Sequence, residues 1–302
     1  MNATFGLACC VFCCSNVAAV FLDATAQERL SCPTADYATH PMATDVRKLG
    51  APPINEVVCG FVYETIVGLT PPVHGIYWEK RRESFATCEI HPAIVDGPSM
   101  PLLVGSALPA RTWLVSADGV RLVQMQQDRF YVNWRRRGEG DTYPRFSRGS
   151  DGAGLLAFAL DEFAQFCDFC TSRLGNRPKL VAVDLSKIDV LKQGTHWSDW
   201  QDLGTLVPAI SSLLSSVRGI QPELTMRVSG DGQSASTMSI DIASGLEIAT
   251  RRPVLRIETR GRTSAETPEG LESDFRTLNH ELNGAFFRLI STQGISRFKP
   301  EA

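Results

Sequence analysis

RTWLVSADGVRLVQMQQDRFYVNWR, residues 111–135, is the stretch of sequence that decides the fold. Asp118-Gly119 lies between two strand-like runs and predicts a β-hairpin with a type I′ turn, in which both central residues have positive φ. In the third run, Phe130, Val132 and Trp134 alternate with polar residues and therefore share one apolar face. The stretch predicts a three-stranded meander over 111–117, 120–126 and 129–135. Another element must cover its apolar face, because an isolated meander buries too little surface.

The element predicted to cover the meander is a helix over Leu155–Leu174. Its apolar residues recur at steps of three and four, which forms one continuous stripe along a helix. Gly175 stands where a left-handed C-cap is expected, and Pro178 prevents the helix from continuing. The stripe consists of Leu156, Leu160, Phe163, Cys167, Cys170 and Leu174.

Both halves of the chain show the same predicted order of elements: a strand, a helix, a three-stranded meander and a long helix. In the first half these are residues 55–64, a helix that begins at Thr70-Pro71-Pro72, the meander, and 155–174. Residues 88–95 add an extended segment that Pro92 restricts to a sheet edge. In the second half the elements are 180–188, 206–217, three strands near 224–229, 238–242 and 254–259, and a helix from Thr267.

This order predicts an α+β fold made by internal duplication, although the halves share no residue-level identity. We expect two tandem units, 46–177 and 178–302, each with an antiparallel sheet covered by its long helix. Residues 1–45 are expected to be a disordered or mis-assigned leader, with Met42 as a possible true start. The leader contains Cys9, Cys10, Cys13 and Cys14, whose spacing is compatible with a soft metal, but no second cluster completes a site.

The meander also resembles a known family. Asp118-Gly119, LVQMQ at 122–126, Asp128-Arg129-Phe130, Asn133-Trp134-Arg135 and Tyr143-Pro144-Arg145-Phe146 are similar to the signature of a sporadically distributed prokaryotic protein family of unknown function. The segment 51–58 and His280-Glu281 are similar as well, although Phe298 stands where the family often has Trp. The resemblance implies a soluble protein of about this size. It implies no catalytic residue, because the family has no assigned activity.

Composition and short motifs exclude several classes of protein. A net charge of −3 and a pI near 6.0 argue against a generic nucleic-acid binder. No run of 18 apolar residues is present, so we expect no membrane span. The five remaining cysteines fit a reducing cytoplasm, and Cys167 and Cys170 are expected to be buried core residues rather than a redox pair.

No motif identifies a catalytic, cofactor or metal site. The glycine-rich loop at 149–154 is suited either to cradling a phosphate or to leading into the helix that follows, and it lacks the ending of a P-loop. The histidines are scattered singly, without His-Glu-x-x-His spacing, and no Gly-x-Ser-x-Gly elbow occurs. We therefore predict no catalytic residue, no cofactor and no metal, and the interpretation leans away from an enzyme.

The arginines are the candidate binding residues, because a guanidinium group binds phosphates and carboxylates through paired hydrogen bonds. The competing interpretation is that these charges keep strand ends soluble. We predict a cytoplasmic, non-enzymatic binding or adaptor protein for an unknown protein or anionic ligand. The alternative is an enzyme for a phosphorylated or nucleotide substrate, which requires His280, Glu281 and an arginine cluster to share one pocket. The candidate binding residues are Arg135, Arg136, Arg137, Arg145, Tyr143, Arg252, Arg256 and His280.

Overall fold

In the part of the chain that the structure describes, nine antiparallel strands form one sheet in the order β2-β3-β4-β5-β1-β6-β9-β8-β7. The structure, a computed structural model, describes residues 48–94, 110–138, 140–147, 154–216, 223–232 and 236–300. The strands are β1 Ile54–Tyr63, β2 Thr87–Pro92, β3 Ala110–Val115, β4 Arg121–Met125, β5 Arg129–Arg135, β6 Leu180–Lys192, β7 Thr225–Asp231, β8 Thr237–Leu246 and β9 Pro253–Ser264. The helices are α1 Pro71–Lys80, α2 Leu155–Leu174, α3 Trp200–Leu206, α4 Ser211–Ser216, α5 Leu271–Leu289 and α6 Thr292–Ser296.

The two halves share this sheet, whereas the sequence predicted two sheets. β1 and β6 are the first strands of the two halves, and they pair with each other, with Cys59 opposite Leu185. Each is an interior strand that needs a neighbour on both sides, and each has its own meander on only one side. By pairing with each other, β1 and β6 each gain the second neighbouring strand. The α+β class is confirmed.

All six described α-helices pack on the same face of the sheet, which we call the helix face. On that face Phe61 of β1 stacks on Phe163 of α2, with ring centroids 4.0 Å apart, and Phe130 of β5 stacks on Phe166 at 4.5 Å. Phe275 of α5 meets Phe61 edge-on at 5.3 Å. The prediction that α2 covers the meander is therefore confirmed. The opposite face, which carries none of the described helices, is called the outer face.

The covered core also contains the residues for which burial was predicted. Trp134 is 3% exposed and its ring lies edge-on to Tyr143 at 5.3 Å. Cys167 and Cys170 are free thiols in the core, and burial raises the pKa of these thiols to about 11 and about 12. A buried thiol is a poor nucleophile when its thiolate is disfavoured. Both cysteines therefore act as core residues, as predicted.

The Asp118-Gly119 hairpin is present, but its turn is not type I′. Gly119 has φ of 72°, and Asp118 does not have positive φ. The backbone N–H of Gly119 donates to the Ser116 carbonyl at 2.9 Å, and the Asp118 carboxylate accepts from the backbone N–H of Val120 at 3.0 Å. The hydrogen bond between the Asp118 side chain and the turn backbone is compatible with negative φ at Asp118. Only Gly119 therefore adopts a left-handed backbone conformation.

Two of the sequence-level predictions concern residues outside the described ranges. The leader at 1–45 with its cysteines is one, and most of the glycine-rich loop at 149–154 is the other. Of that loop, Gly154 is described and is the N-cap residue of α2. Within the described part of the chain, no helix combines the length and apolar character that crossing a bilayer requires.

Candidate anion-binding surface on the outer sheet face

Strand alternation places four arginines on the outer face of the second half. Arg256, Arg260 and Arg262 are separated by even numbers of residues on β9 and therefore point to the same side. Arg227 of β7 joins them, because its cross-strand partner Asp241 is in turn the partner of Glu258 on β9. We call Arg227, Arg256, Arg260 and Arg262 the arginine layer.

Each member of the arginine layer is paired with a carboxylate that is more buried than the arginine itself. The Arg260 side chain is 54% exposed and that of Glu258 only 9%, at a distance of 2.7 Å. Arg227 is 72% exposed, above an Asp241 carboxylate that is 17% exposed. The same arrangement is found for Arg256 over Glu258 and for Arg262 over Asp184. The carboxylates thus lie next to the sheet and the guanidinium groups face outward.

Glu258 is the centre of this arrangement. Its Oε1 accepts from the Ser186 hydroxyl at 2.8 Å and from Arg260 Nη2 at 2.7 Å, while its Oε2 accepts from Arg256 Nη2 at 2.5 Å. Burial of Glu258 opposes ionisation, but the charges of Arg260 and Arg256 outweigh it and lower its pKa. Glu258 is therefore ionised at neutral pH and holds both guanidinium groups in place.

Asp184 performs the same role at the seam between the halves. It accepts from Arg262 Nε at 2.6 Å and Nη2 at 3.1 Å, which is the bidentate geometry of an arginine–carboxylate pair. The Tyr131 side chain lies over Gly60 of β1, and its hydroxyl donates to Asp184 at 3.3 Å. A Cβ atom on Gly60 would lie only 2.3 Å from Tyr131 Cε1. Glycine at this position allows the β5 side chain to reach β6.

The first half carries a different polar network on the outer face. Arg111 Nη1 donates to Gln124 Oε1 at 2.8 Å, Gln124 Nε2 donates to Asn133 Oδ1 at 2.9 Å, and Asn133 Nδ2 donates to Glu56 Oε1 at 2.6 Å. Trp113 lies beside this chain, stacked on His91 with ring centroids 3.8 Å apart. Gln124 and Asn133, the two amides in the middle of this network, are buried.

A second cluster of perturbed groups is buried under the helix face. Lys187 Nζ donates to Asn279 and Asn283 of α5, each at 2.5 Å. Burial lowers the pKa of Lys187 to about 8 and raises that of Asp189 to about 7, the latter against the opposing charges of Lys187 and Arg136. Both side chains belong to residues only 6% exposed. Lys187 thus links the sheet to α5, and the low exposure of both residues leaves little room for a substrate to reach them.

The structure divides the first predicted arginine cluster between the two faces. Arg135 lies on the outer face, where its Nη2 donates to the Gly119 carbonyl at 3.2 Å. Arg136 lies over the Trp134 ring on the helix side, 5.9 Å from its centroid, and Arg145 Nη1 donates to the Leu49 carbonyl at 3.3 Å. Arg137 is exposed in the loop after β5. These residues therefore do not form one site.

The remaining predicted residues are also spread over the molecule. Tyr143 is half-buried against Trp134. Arg252 is exposed at the turn between β8 and β9, and Arg256 belongs to the arginine layer. His280 is exposed on α5, while the adjacent Glu281 is buried and accepts from the Ser236 hydroxyl at 2.5 Å. Because α5 packs on the helix face, His280 and Glu281 lie on the opposite side of the sheet from Arg135 and Arg256.

No described cavity gathers the predicted residues. A cavity of about 270 Å³ lies between α2 and the start of α5, and its wall includes Leu160, Phe163, Cys167 and Leu271 but none of the candidate binding residues. Among the described residues, no group of three His, Cys, Asp or Glu side chains is arranged to hold a metal ion.

The carboxylates that organise the site were not among the residues predicted from the sequence; they are Asp184, Asp241 and Glu258. The run RIETRGR at 256–262 contained a usable signal, since alternation puts Arg256, Glu258, Arg260 and Arg262 on one face. Asp184 and Asp241 come from other strands and are brought in by the strand register.

Comparison with known proteins gives no functional assignment. No protein-family model matches the chain, and no curated protein matches it. Among solved structures, the chain is similar to one in the structure of the Mycobacterium tuberculosis type VII secretion system chaperone EspG5 in complex with a PE25–PPE41 dimer, at 10% identity over 76% of this chain and 74% of that chain. The TM-score of 0.16 is too low to indicate a shared fold or function.

Proposed function

We propose that this chain is a non-enzymatic binding protein that holds an anionic partner on the arginine layer. The proposal rests on one observation. In each ion pair of the arginine layer the carboxylate is the more buried side chain, and the guanidinium group is the more exposed one. In the described bonds to Glu258, Arg256 and Arg260 each use only Nη2. A guanidinium group has five N–H donors, so the outward edges of these two can meet carboxylate or phosphate oxygens.

Pre-organisation favours this use of the arginines. An arginine loses side-chain entropy when it is fixed by a ligand, and one that is already held by an ion pair loses less. Arg256 and Arg260 are held by the same carboxylate at 2.5 and 2.7 Å. The buried carboxylates also keep the sheet face neutral enough to fold without self-repulsion. The partner is expected to supply carboxylate or phosphate groups at spacings that match alternate residues of one strand.

An enzymatic function for a phosphorylated or nucleotide substrate is the second candidate, and the buried Lys187–Asp189 pair is the observation that favours it. Shifted pKa values of this kind cluster at active sites. The same pair is enclosed by α5, however, and His280 lies across the sheet from the arginine layer. The binding function therefore has the stronger support.

The broader identity of the protein belongs to the same proposal. The meander signature suggests membership of the sporadically distributed prokaryotic family, and we place the protein in the cytoplasm. We also infer that the halves arose by duplication, since each has the order strand, helix, meander, long helix and the antiparallel β1–β6 pair lies between them. The arginine layer would then be a specialisation of the second half.

A binding experiment with matched arginine variants tests the proposal. Isothermal titration at low salt would use two probes, tripolyphosphate and a polyglutamate peptide, which distinguish phosphate from carboxylate partners. The double variant R256Q/R260Q should bind at least about tenfold more weakly, since each charge-assisted hydrogen bond contributes roughly 1.5–3 kcal/mol. The matched control is R82Q/R276Q, which removes two helix-side arginines that are 60% and 47% exposed. Equal losses in both variants would reject the arginine layer as the site.

A further inference from the structure

β7 is the last strand at one end of the sheet, and its outer edge presents backbone groups to solvent. Thr225–Asp231 are exposed in all but one residue, and among the described strands β7 is hydrogen-bonded to β8 alone. The backbone N–H of Gly232 donates to the Ser236 carbonyl, and the backbone N–H of Ser244 donates to the Leu224 carbonyl. Even-numbered residues therefore direct their backbone groups toward β8. Alternation leaves the N–H and C=O groups of Thr225, Arg227, Ser229 and Asp231 directed at the free edge.

We propose that two copies of this chain pair antiparallel through β7, with Ser229 opposite Ser229 of the second copy. The two charged residues of β7, Arg227 and Asp231, favour this register. Arg227 then lies opposite Asp231 of the second copy, and Asp231 opposite its Arg227, which gives two ion pairs across the join. Opposite charges directly across an antiparallel pair stabilise it. A register shifted to centre on Arg227 would instead place the two Arg227 side chains against each other.

The two ends of the sheet differ in how they resist such pairing. The other edge strand, β2, contains Pro92, which has no backbone N–H to offer. Isolated charges on an edge usually prevent association with other strands. On β7 the two exposed charges are of opposite sign and symmetrically placed about Ser229, so they are complementary to a second copy of the same strand.

The dimer would extend the outer face. Residues that are paired across antiparallel strands point to the same side of a sheet, so a two-fold axis perpendicular to the sheet keeps both outer faces on one side. The nine-stranded sheet would double, and the two arginine layers would lie on either side of the join. The dimer shares Arg227 with the arginine layer, but the inference concerns self-association and does not depend on what Arg256 and Arg260 bind.

Cross-linking tests the register directly. In the proposed dimer the two Ser229 residues form a hydrogen-bonded pair with Cα atoms about 5.5 Å apart, within the range a disulfide spans. Oxidised S229C should therefore run as a covalent dimer on non-reducing gels. V228C should not, because residue 228 faces Gly230 of the second copy. The unsubstituted chain with its nine cysteines is the background control.

Native mass spectrometry and sedimentation provide the second measurement. The full chain should be dimeric at tens of micromolar, S229P should be monomeric because proline removes an outward N–H, and D231R should associate about tenfold more weakly at low salt. A monomeric full chain, a dimeric S229P, or stronger cross-linking of V228C than of S229C would overturn the proposal. Because these variants leave Arg256 and Arg260 intact, a failed dimer does not affect the binding proposal.

Discussion

Replacing Glu258 with glutamine should weaken the fold and strengthen anion binding at the same time. The carboxylate is 9% exposed and bonds Arg256, Arg260 and Ser186. Breaking a buried ion pair from one side costs about 3–5 kcal/mol. Arg256 and Arg260 are 40% and 54% exposed and can recover hydration, so we expect a discounted loss of about 1–3 kcal/mol.

The same substitution removes the negative charge that neutralises the two guanidinium groups. With the screening of bulk water, a unit charge about 5 Å from a bound anion is worth roughly 1 kcal/mol, which corresponds to about three- to tenfold tighter binding of tripolyphosphate. Urea denaturation measures the first effect and isothermal titration at low salt the second. Glutamine keeps the shape of the side chain and an Oε1 atom that can still accept from a guanidinium group, so part of the pre-organisation is retained and the lost charge decides the change in binding.

The control is E64Q, which also removes one negative charge. Glu64 forms a surface ion pair with Lys179, in which both side chains are at least 60% exposed. E64Q should leave stability and binding nearly unchanged, because exposed pairs contribute little. The reasoning fails if E258Q is as stable as the parent, or if it binds tripolyphosphate no more tightly than E64Q does.

Three further predictions concern the scaffold. G60A should lose about 1–3 kcal/mol of stability in urea denaturation because the new Cβ would overlap Tyr131, whereas G75A, with open space around it, should lose nothing. W134A should lose about 3–5 kcal/mol, as for other large-to-small core changes, and a loss below about 1 kcal/mol would show that the ring is not part of the core. The pKa of Asp189 is raised from 3.8 to about 7, so its protonated form stabilises the fold fully below pH 4 and that stability is lost as pH rises through 7. D189N should flatten the decline in unfolding free energy between pH 4 and 7, and an unchanged slope would contradict the assignment.

Elements with strong local patterns were predictable from the sequence. The bounds of α2 follow from its apolar stripe and from Gly175, which has φ of 70° as the left-handed cap. The third strand of the meander, Arg129–Arg135, was predicted with its observed bounds because its alternation is strict. Pro92 correctly placed β2 at an edge of the sheet. In each case a few neighbouring residues contain the whole signal.

Features that depend on distant strands were not predictable in this way. The single sheet rests on pairing of β1 with β6, and no local pattern distinguishes a partner in the same half from one in the other half. The arginine layer depends on register as well, since Asp184 and Arg262 are 78 residues apart in sequence. The separation of Arg135 from Arg136 did have a local signal, because consecutive strand residues point to opposite faces.

The most direct test of anion binding on the arginine layer is an NMR titration of the arginine Nε–Hε signals with tripolyphosphate. We expect the signals of Arg227, Arg256 and Arg260 to shift progressively and those of Arg82 and Arg276 to stay in place. Added salt should reverse the shifts, because it screens exposed charges. Shifts in Arg82 or Arg276 while the signals of the arginine layer remain unchanged would contradict this expectation.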